Sequence, residues 1–235
     1  MRGIAAACLA TMGCSEPSPA ADAGADECGE LPAFVGSSVQ PPDLEIIAVQ
    51  PDGSFVPILD GDEVAIRTPL DGGKVMLVGA LVTNVSLADC GRLRIGALLR
   101  DPTDPEERVA YNEERHVRYE PMADRPFWAM PMPIYDVRNM GPNLETCGFS
   151  PYPRDVDGCE WILELRLEDT RTEDILVSER VRVTPVCLED DPGAPSVAPE
   201  LELALCQCQC AANYEPGRCD TGSLPDWIDP PLDCE

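Results

Sequence analysis

The residues best equipped for chemistry are three cysteines on alternate positions, Cys206, Cys208 and Cys210. Such a run can bind a soft metal, take part in redox exchange or form cross-links. Thiolate metal sites favour C-x2-C spacing, which this run lacks. In an extended strand, positions i and i+2 lie about 6.5–7 Å apart at Cα, the limit for a direct bridge. Each cysteine therefore needs its own partner, and disulfides are expected over a metal or redox site. His116 is the single histidine. A histidine cluster for zinc is thereby excluded, and any Ser-His-Asp triad has to use His116. No serine stands in a G-x-S-x-G setting. Lying between Arg115 and Val117, His116 reads as an exposed strand residue. Carboxylates are plentiful. Asp60/Asp62/Glu63, Asp101/Asp104/Glu106/Glu107 and Glu189/Asp190/Asp191 read as solvated loops, with calcium ligation as the alternative. None matches the EF-hand loop. Paired carboxylates can also hydrolyse glycosides, although spacing along the chain does not disclose spacing in the fold.

The apolar stretch Phe127-Trp128-Ala129-Met130-Pro131-Met132-Pro133-Ile134-Tyr135 is the candidate binding surface. Methionines and aromatics are adaptable and enriched at interfaces. Phe127, Trp128, Met130, Met132 and Tyr135 would carry it. The alternative is a loop packed over an open end of the fold.

The chain has 235 residues and a net charge of -26. Such a surface repels nucleic acid and anionic lipid head groups and attracts cations or basic partners. Lys74 is the only lysine, so nearly all positive charge is arginine. With 44% hydrophobic residues there is ample material for a core. Twenty-five prolines, scattered through nearly every loop, argue against long helices and for many short strands.

The first fourteen residues give an address. Arg2 is followed by a short apolar run, Ile4 to Met12, and then Gly13-Cys14. The segment resembles the signal peptide and lipobox of a bacterial lipoprotein, with Thr11 standing where that family usually has Leu. The resemblance implies cleavage after residue 13 and acylation of Cys14, hence a lipid-anchored, extracytoplasmic protein. Ser15 behind the acylated cysteine implies the outer membrane of a Gram-negative cell. Residues 15–25 (SEPSPAADAGA) are small and polar, as a flexible tether is. The run is too short to span a bilayer, which takes about 20 apolar residues.

That address organises the twelve cysteines. Cys8 leaves with the leader and Cys14 carries lipid. The remainder are Cys28, Cys90, Cys147, Cys159, Cys187, Cys206, Cys208, Cys210, Cys219 and Cys234. An even set in an exported chain reads as a disulfide framework. Cys147–Cys159 around a Pro/Gly-rich loop, and Cys210–Cys219 around a short turn, are the two pairings expected.

The elements that position these residues are short strands. Leu44–Val49 and Phe55–Ile58 flank Asp52-Gly53 as a hairpin. Val64–Ile66 follows, then Val75 to Val85 as one long strand with Gly79 as a bulge. Leu93, Ile95, Ala97 and Leu99 share one side of the next strand. Tyr111–Tyr119 reads as a polar edge strand, and residues 121–146 as irregular. Trp161, Leu163, Leu165 and Leu167 alternate with Glu164, Arg166 and Glu168, and Ile175–Val183 is the partner strand. No amphipathic helix is evident.

The expected class is all-β. The strand count and turns resemble an antiparallel Ig-like or fibronectin type III-like β-sandwich, with a small disulfide-rich C-terminal tail. The boundaries are residues 1–13 leader, 14–42 tether, 43–190 sandwich, 191–202 linker and 203–235 tail. From Cys208 onward the tail resembles the C-terminal half of an epidermal-growth-factor-like module, with Asn213 where that family has Gly or Pro. As a whole the chain resembles the Cys-rich lipoproteins of predatory, GC-rich Gram-negative bacteria. The expected function is non-enzymatic, without cofactor: a binding or structural module toward an envelope protein or glycan. A secreted carboxylate-based hydrolase and a calcium-stabilised adhesin are the alternatives.

Overall fold

Strict alternation between apolar and charged residues makes Trp161–Asp169 (β13) a strand with two unlike faces. Trp161, Leu163, Leu165 and Leu167 are fully buried on one of them. Its partner Asp174–Cys187 (β14) returns antiparallel, joined through a turn in which Glu173 has φ 60° and its N–H bonds the carbonyl of Asp169. The hairpin thus forms where the alternation places it. The computed structural model describes residues 34–49, 54–68, 74–86, 93–106, 113–116, 120–121, 128–131, 144–147, 155–188, 199–212, 214, 217, 219 and 234.

Around that hairpin the described chain is mostly β-strand. The remaining strands are Phe34–Val35 (β1), Asp43–Val49 (β2), Phe55–Pro57 (β3), Asp62–Arg67 (β4), Lys74–Met76 (β5), Val78–Thr83 (β6), Val85–Ser86 (β7) and Leu93–Arg100 (β8). They continue with Glu113–His116 (β9), Glu120–Pro121 (β10), Trp128–Pro131 (β11) and Leu144–Cys147 (β12). One sheet runs β10-β11-β6-β2-β3, and the other runs β12-β5-β4-β14-β13-β8-β9. A two-stranded ladder, β1-β7, lies apart from both. Leu44, Ile46, Val78, Ala80 and Val82 of the five-stranded sheet share one core with Ile66, Ile95, Leu99, Leu163 and Leu165 of the seven-stranded sheet.

Three differences from the sequence reading have physical causes. Residues 75–85 are two strands: the chain leaves the seven-stranded sheet after Met76 and joins the five-stranded sheet at Val78. Every residue of β5 and β6 is buried, so no alternation marks the crossing. Gly79 lies in regular register opposite Ile47 and Pro131, without a bulge. Secondly, β4 pairs with the last five residues of β14 in parallel, an exception to the antiparallel scheme. Thirdly, Pro199–Cys210 is an α-helix (α1). Pro199 opens it, where a missing N–H costs nothing, and Glu200 and Glu202 place negative charge at the positive end of its dipole. The helix occupies the stretch read as linker and as the start of an extended tail.

The shared core predicts a mutational cost. Leu165→Ala should lower the unfolding free energy by about 2–5 kcal/mol, read from urea denaturation of the oxidised chain. A change under about 1 kcal/mol would place Leu165 outside the core.

Candidate functional site

The helical setting of the C-x-C-x-C run changes its chemistry. At 3.6 residues per turn, Glu202, Cys206 and Cys210 stand one turn apart on one face. All three are buried. Glu202 receives hydrogen bonds from the Lys74 ammonium and the Thr68 hydroxyl, and Lys74 also donates to Thr68. Cys206 is bonded to Cys187 at the end of β14, and Cys210 to Cys147 at the end of β12. Cys208 points elsewhere and bonds Cys219, while Cys159 bonds Cys234. The expected pairs Cys147–Cys159 and Cys210–Cys219 do not form. Cys147 and Cys159 each take a partner from the C-terminal segment, because α1 lies against the strands that carry Cys147 and Cys187. The backbone adds two ties: Val156 N–H donates to the Cys210 carbonyl, and Ala212 N–H donates to Asp155.

The Sγ atoms of Cys187, Cys206 and Cys210 lie within 4.8 Å of one another, the spacing of a thiolate metal set. All three are engaged in disulfides, and a disulfide sulfur is not a thiolate ligand. Their arrangement is that of two neighbouring cross-links, with 4.0 Å between the sulfurs of Cys187 and Cys210.

A second cluster lies on the opposite face of β13. Sequence alternation sends Glu164 outward, yet it is only 1% exposed. Three arginines close over it. Arg100 and Arg180 donate to Oε2 at 2.6 and 2.7 Å, and Arg166 donates to Oε1. Ser178 adds a hydroxyl at 3.2 Å. Arg100 also donates to the carbonyl of Pro105, fixing the loop after β8. Burial pushes the Glu164 carboxyl up, but the Arg166 and Arg100 guanidiniums outweigh it and hold its pKa below the usual glutamate value. Beside it, Arg94 clasps Glu168 across the β8–β13 ladder at 2.7–2.8 Å.

Four residues of the acidic clusters have partners within the chain. Asp60 accepts from the side chain and backbone N–H of Arg182, and these hydrogen bonds lower its pKa to about 2. Asp62 caps the N–H of Leu59, Asp101 caps Thr103, and Glu106 stands 3.9 Å from Arg180. Glu107, Glu189, Asp190 and Asp191 lie outside the described residues.

Of the candidate binding surface, positions 128 and 130 fall on β11. Register sets them opposite Val82 and Ala80, which belong to the core. That part of the stretch is a ladder strand. Phe127, Met132 and Tyr135 lie outside the described residues, as do Cys14, Cys28 and Cys90. His116 ends β9, opposite Arg94, on the outermost strand at one end of the seven-stranded sheet. A cleft of about 250 Å³ opens among Pro42, Asn84, Val85, Leu93, Asp169 and Leu176. No family model matches the chain, and no curated protein is similar to it.

Two predictions follow from the buried charges. Lys74→Met leaves Glu202 buried beside a methionine and should cost about 3–5 kcal/mol in urea denaturation. Lys74→Met with Glu202→Leu should recover most of that loss; a double variant as weak as the single one would contradict the pairing. A depressed carboxylate stabilises the fold above its unfolded pKa, 4.5 for glutamate, and the contribution disappears as pH falls through the folded value. The wild-type melting temperature should therefore drop more steeply below pH 4.5 than that of Glu164→Gln. Parallel curves would show that Glu164 is not held ionised.

Proposed function

We propose that the protein is a lipid-anchored, non-enzymatic envelope module built on an Ig-like β-sandwich. Acylated Cys14 would hold it to the outer membrane of a Gram-negative cell, and its partner would be an envelope protein or a glycan. One observation carries this reading: each buried charge among the described residues is paired with another buried or half-buried group of the same chain. Glu164, Glu168, Lys74, Arg100 and Glu202 support structure. A catalytic carboxylate, by contrast, would be held toward a cleft with its charge available to substrate.

The strand order supports the fold assignment. If β2, β6, β8, β9, β10, β11, β13 and β14 are taken as strands A, B, C, C′, D, E, F and G, the five-stranded sheet contains A-B-E-D in order. The seven-stranded sheet contains G-F-C-C′. That order is similar to the two sheets of an immunoglobulin variable-type domain, with β4 parallel to the strand taken as G. The buried tryptophan stands on strand F instead of C. The address is supported by the cross-links. The four disulfides among the described residues are characteristic of an oxidising, extracytoplasmic compartment. No described helix is long and apolar enough to cross a membrane, so an acyl chain would supply the attachment.

The test is the intact mass of protein extracted from membranes, with thiol labelling before and after reduction. The account expects a chain starting at acylated Cys14, no labelled thiol before reduction, and transfer of Cys14→Ala to the soluble fraction. An unmodified Cys14 in membrane-extracted protein would overturn the anchor.

A further inference from the structure

β14 is fourteen residues long, but β4 covers only Val183–Cys187. Ahead of that ladder, Gly61 N–H donates to the Arg182 carbonyl, and Asp60 accepts from the Arg182 N–H. From Asp174 to Val181 no described strand is hydrogen-bonded to β14 on that side. Its ladder there is with β13 alone, β2 packs against it without pairing, and six of these eight residues are exposed.

The direction of the free groups follows from strand geometry. Arg182 turns its N–H and C=O toward β4, whereas the Pro185 C=O accepts from Gly158 and the Cys187 N–H donates to Asp157 on the β13 side. Pairing with β13 is regular from Val183 back to Val177. The period of two therefore aims the N–H and C=O of Ser178 and Arg180 at the open side. Asp174–Val181 has no proline or lysine, and its core-facing charge, Glu179, restricts which strand can add to the edge. A β-bulge between Leu167 and Glu168 leaves Leu176 unpaired at the far end of the strand.

We propose that this edge takes a partner strand: an extended, basic segment of another polypeptide that adds antiparallel to β14 and widens the seven-stranded sheet. Charge selects the occupant. The chain as a whole is at -26, which opposes a second copy. At the edge, Glu173, Asp174 and Glu179 are exposed acids. Arg180, the one exposed cation between Asp174 and Val181, is drawn onto Glu164. On the core-facing side the edge reads Val177-Glu179-Val181, so apolar partner residues fit opposite the valines and a lysine or arginine opposite Glu179. Exposed Ile175 and Leu176, the latter lining the cleft at the hairpin end, supply the apolar contact that backbone pairing alone lacks.

This deepens the binding-module reading and rests on it for the nature of the partner. It is tested independently of Cys14, so failure of the edge and failure of the anchor are distinguishable. The experiment is amide hydrogen exchange on the full, oxidised chain, alone and with the synthetic peptide Thr-Val-Lys-Val-Lys-Val-Thr or its Glu-for-Lys counterpart. In the free protein the Ser178 and Arg180 amides should exchange at least tenfold faster than those of Val177, Glu179 and Val181. The basic peptide should slow Ser178 and Arg180 at least tenfold, and the acidic one should leave them unchanged. Ser178→Pro removes the edge N–H and should abolish the effect, while Glu179→Lys should shift preference toward the acidic peptide. Slow exchange at Ser178 and Arg180 in the free chain would overturn the proposal. So would equal response to both peptides, or concentration-dependent protection without peptide, which would assign the edge to a second copy.

Discussion

One stripe of the single described helix organises the molecule. Glu202, Cys206 and Cys210 lie along one face of α1, and each is tied to a different strand of the seven-stranded sheet or its flank. The ties are of two kinds. The disulfides close loops of 63 and 19 residues and so restrict the unfolded chain, an effect of about 3–4 kcal/mol each in the chain-entropy view. The Lys74–Glu202 pair acts in the folded state alone. A buried ion pair yields little net stability over an apolar contact but penalises any arrangement that separates the charges. Together they fix where α1 sits and, through it, the ends of β5, β12 and β14. α1 is thereby part of the body of the protein, and Cys234 is bonded back to Cys159.

The second organising device is charge used as packing. Glu164 lies at the centre of the β8–β13–β14 ladder under Arg100, Arg166 and Arg180. The arginines spread planar, apolar-faced groups over the sheet while their N–H groups satisfy the carboxylate. An outer sheet face with few apolar residues can in this way be sealed from water. In a chain this acidic, three of the arginines are thus committed to one buried anion. Among the described residues, Asp60, Asp62 and Asp101 accept from backbone N–H groups, and exposed acids such as Glu173, Asp174 and Glu179 keep the surface anionic.

The sequence was legible where a single period governs. Alternation from Trp161 to Leu167 located β13 and its inward face, and the turn at Asp169–Asp174 located β14. Asp52-Gly53 between apolar runs correctly joined β2 to β3. Legibility failed where both faces of a strand are buried, as across Met76 to Val78, because full burial erases the period. It failed again at α1. The eye follows C-x-C-x-C, which has the period of a strand. The helical signal lay in Glu202-x3-Cys206-x3-Cys210 behind Pro199. Disulfide partners were beyond reach for a simpler reason, since pairing is decided by which strands α1 crosses. The burial of Glu164 was hidden likewise, because Arg166 on its own strand is joined over it by Arg180 from β14 and by Arg100 from β8, 64 residues away in the chain.

The account stands on α1 being clamped to the sheets. The most direct measurement is a disulfide map of the unreduced protein, by proteolysis and mass spectrometry of the linked peptides. It should return Cys147–Cys210, Cys187–Cys206, Cys208–Cys219 and Cys159–Cys234. A map with Cys147–Cys159 or Cys210–Cys219 would detach the C-terminal segment from the sheets and contradict it.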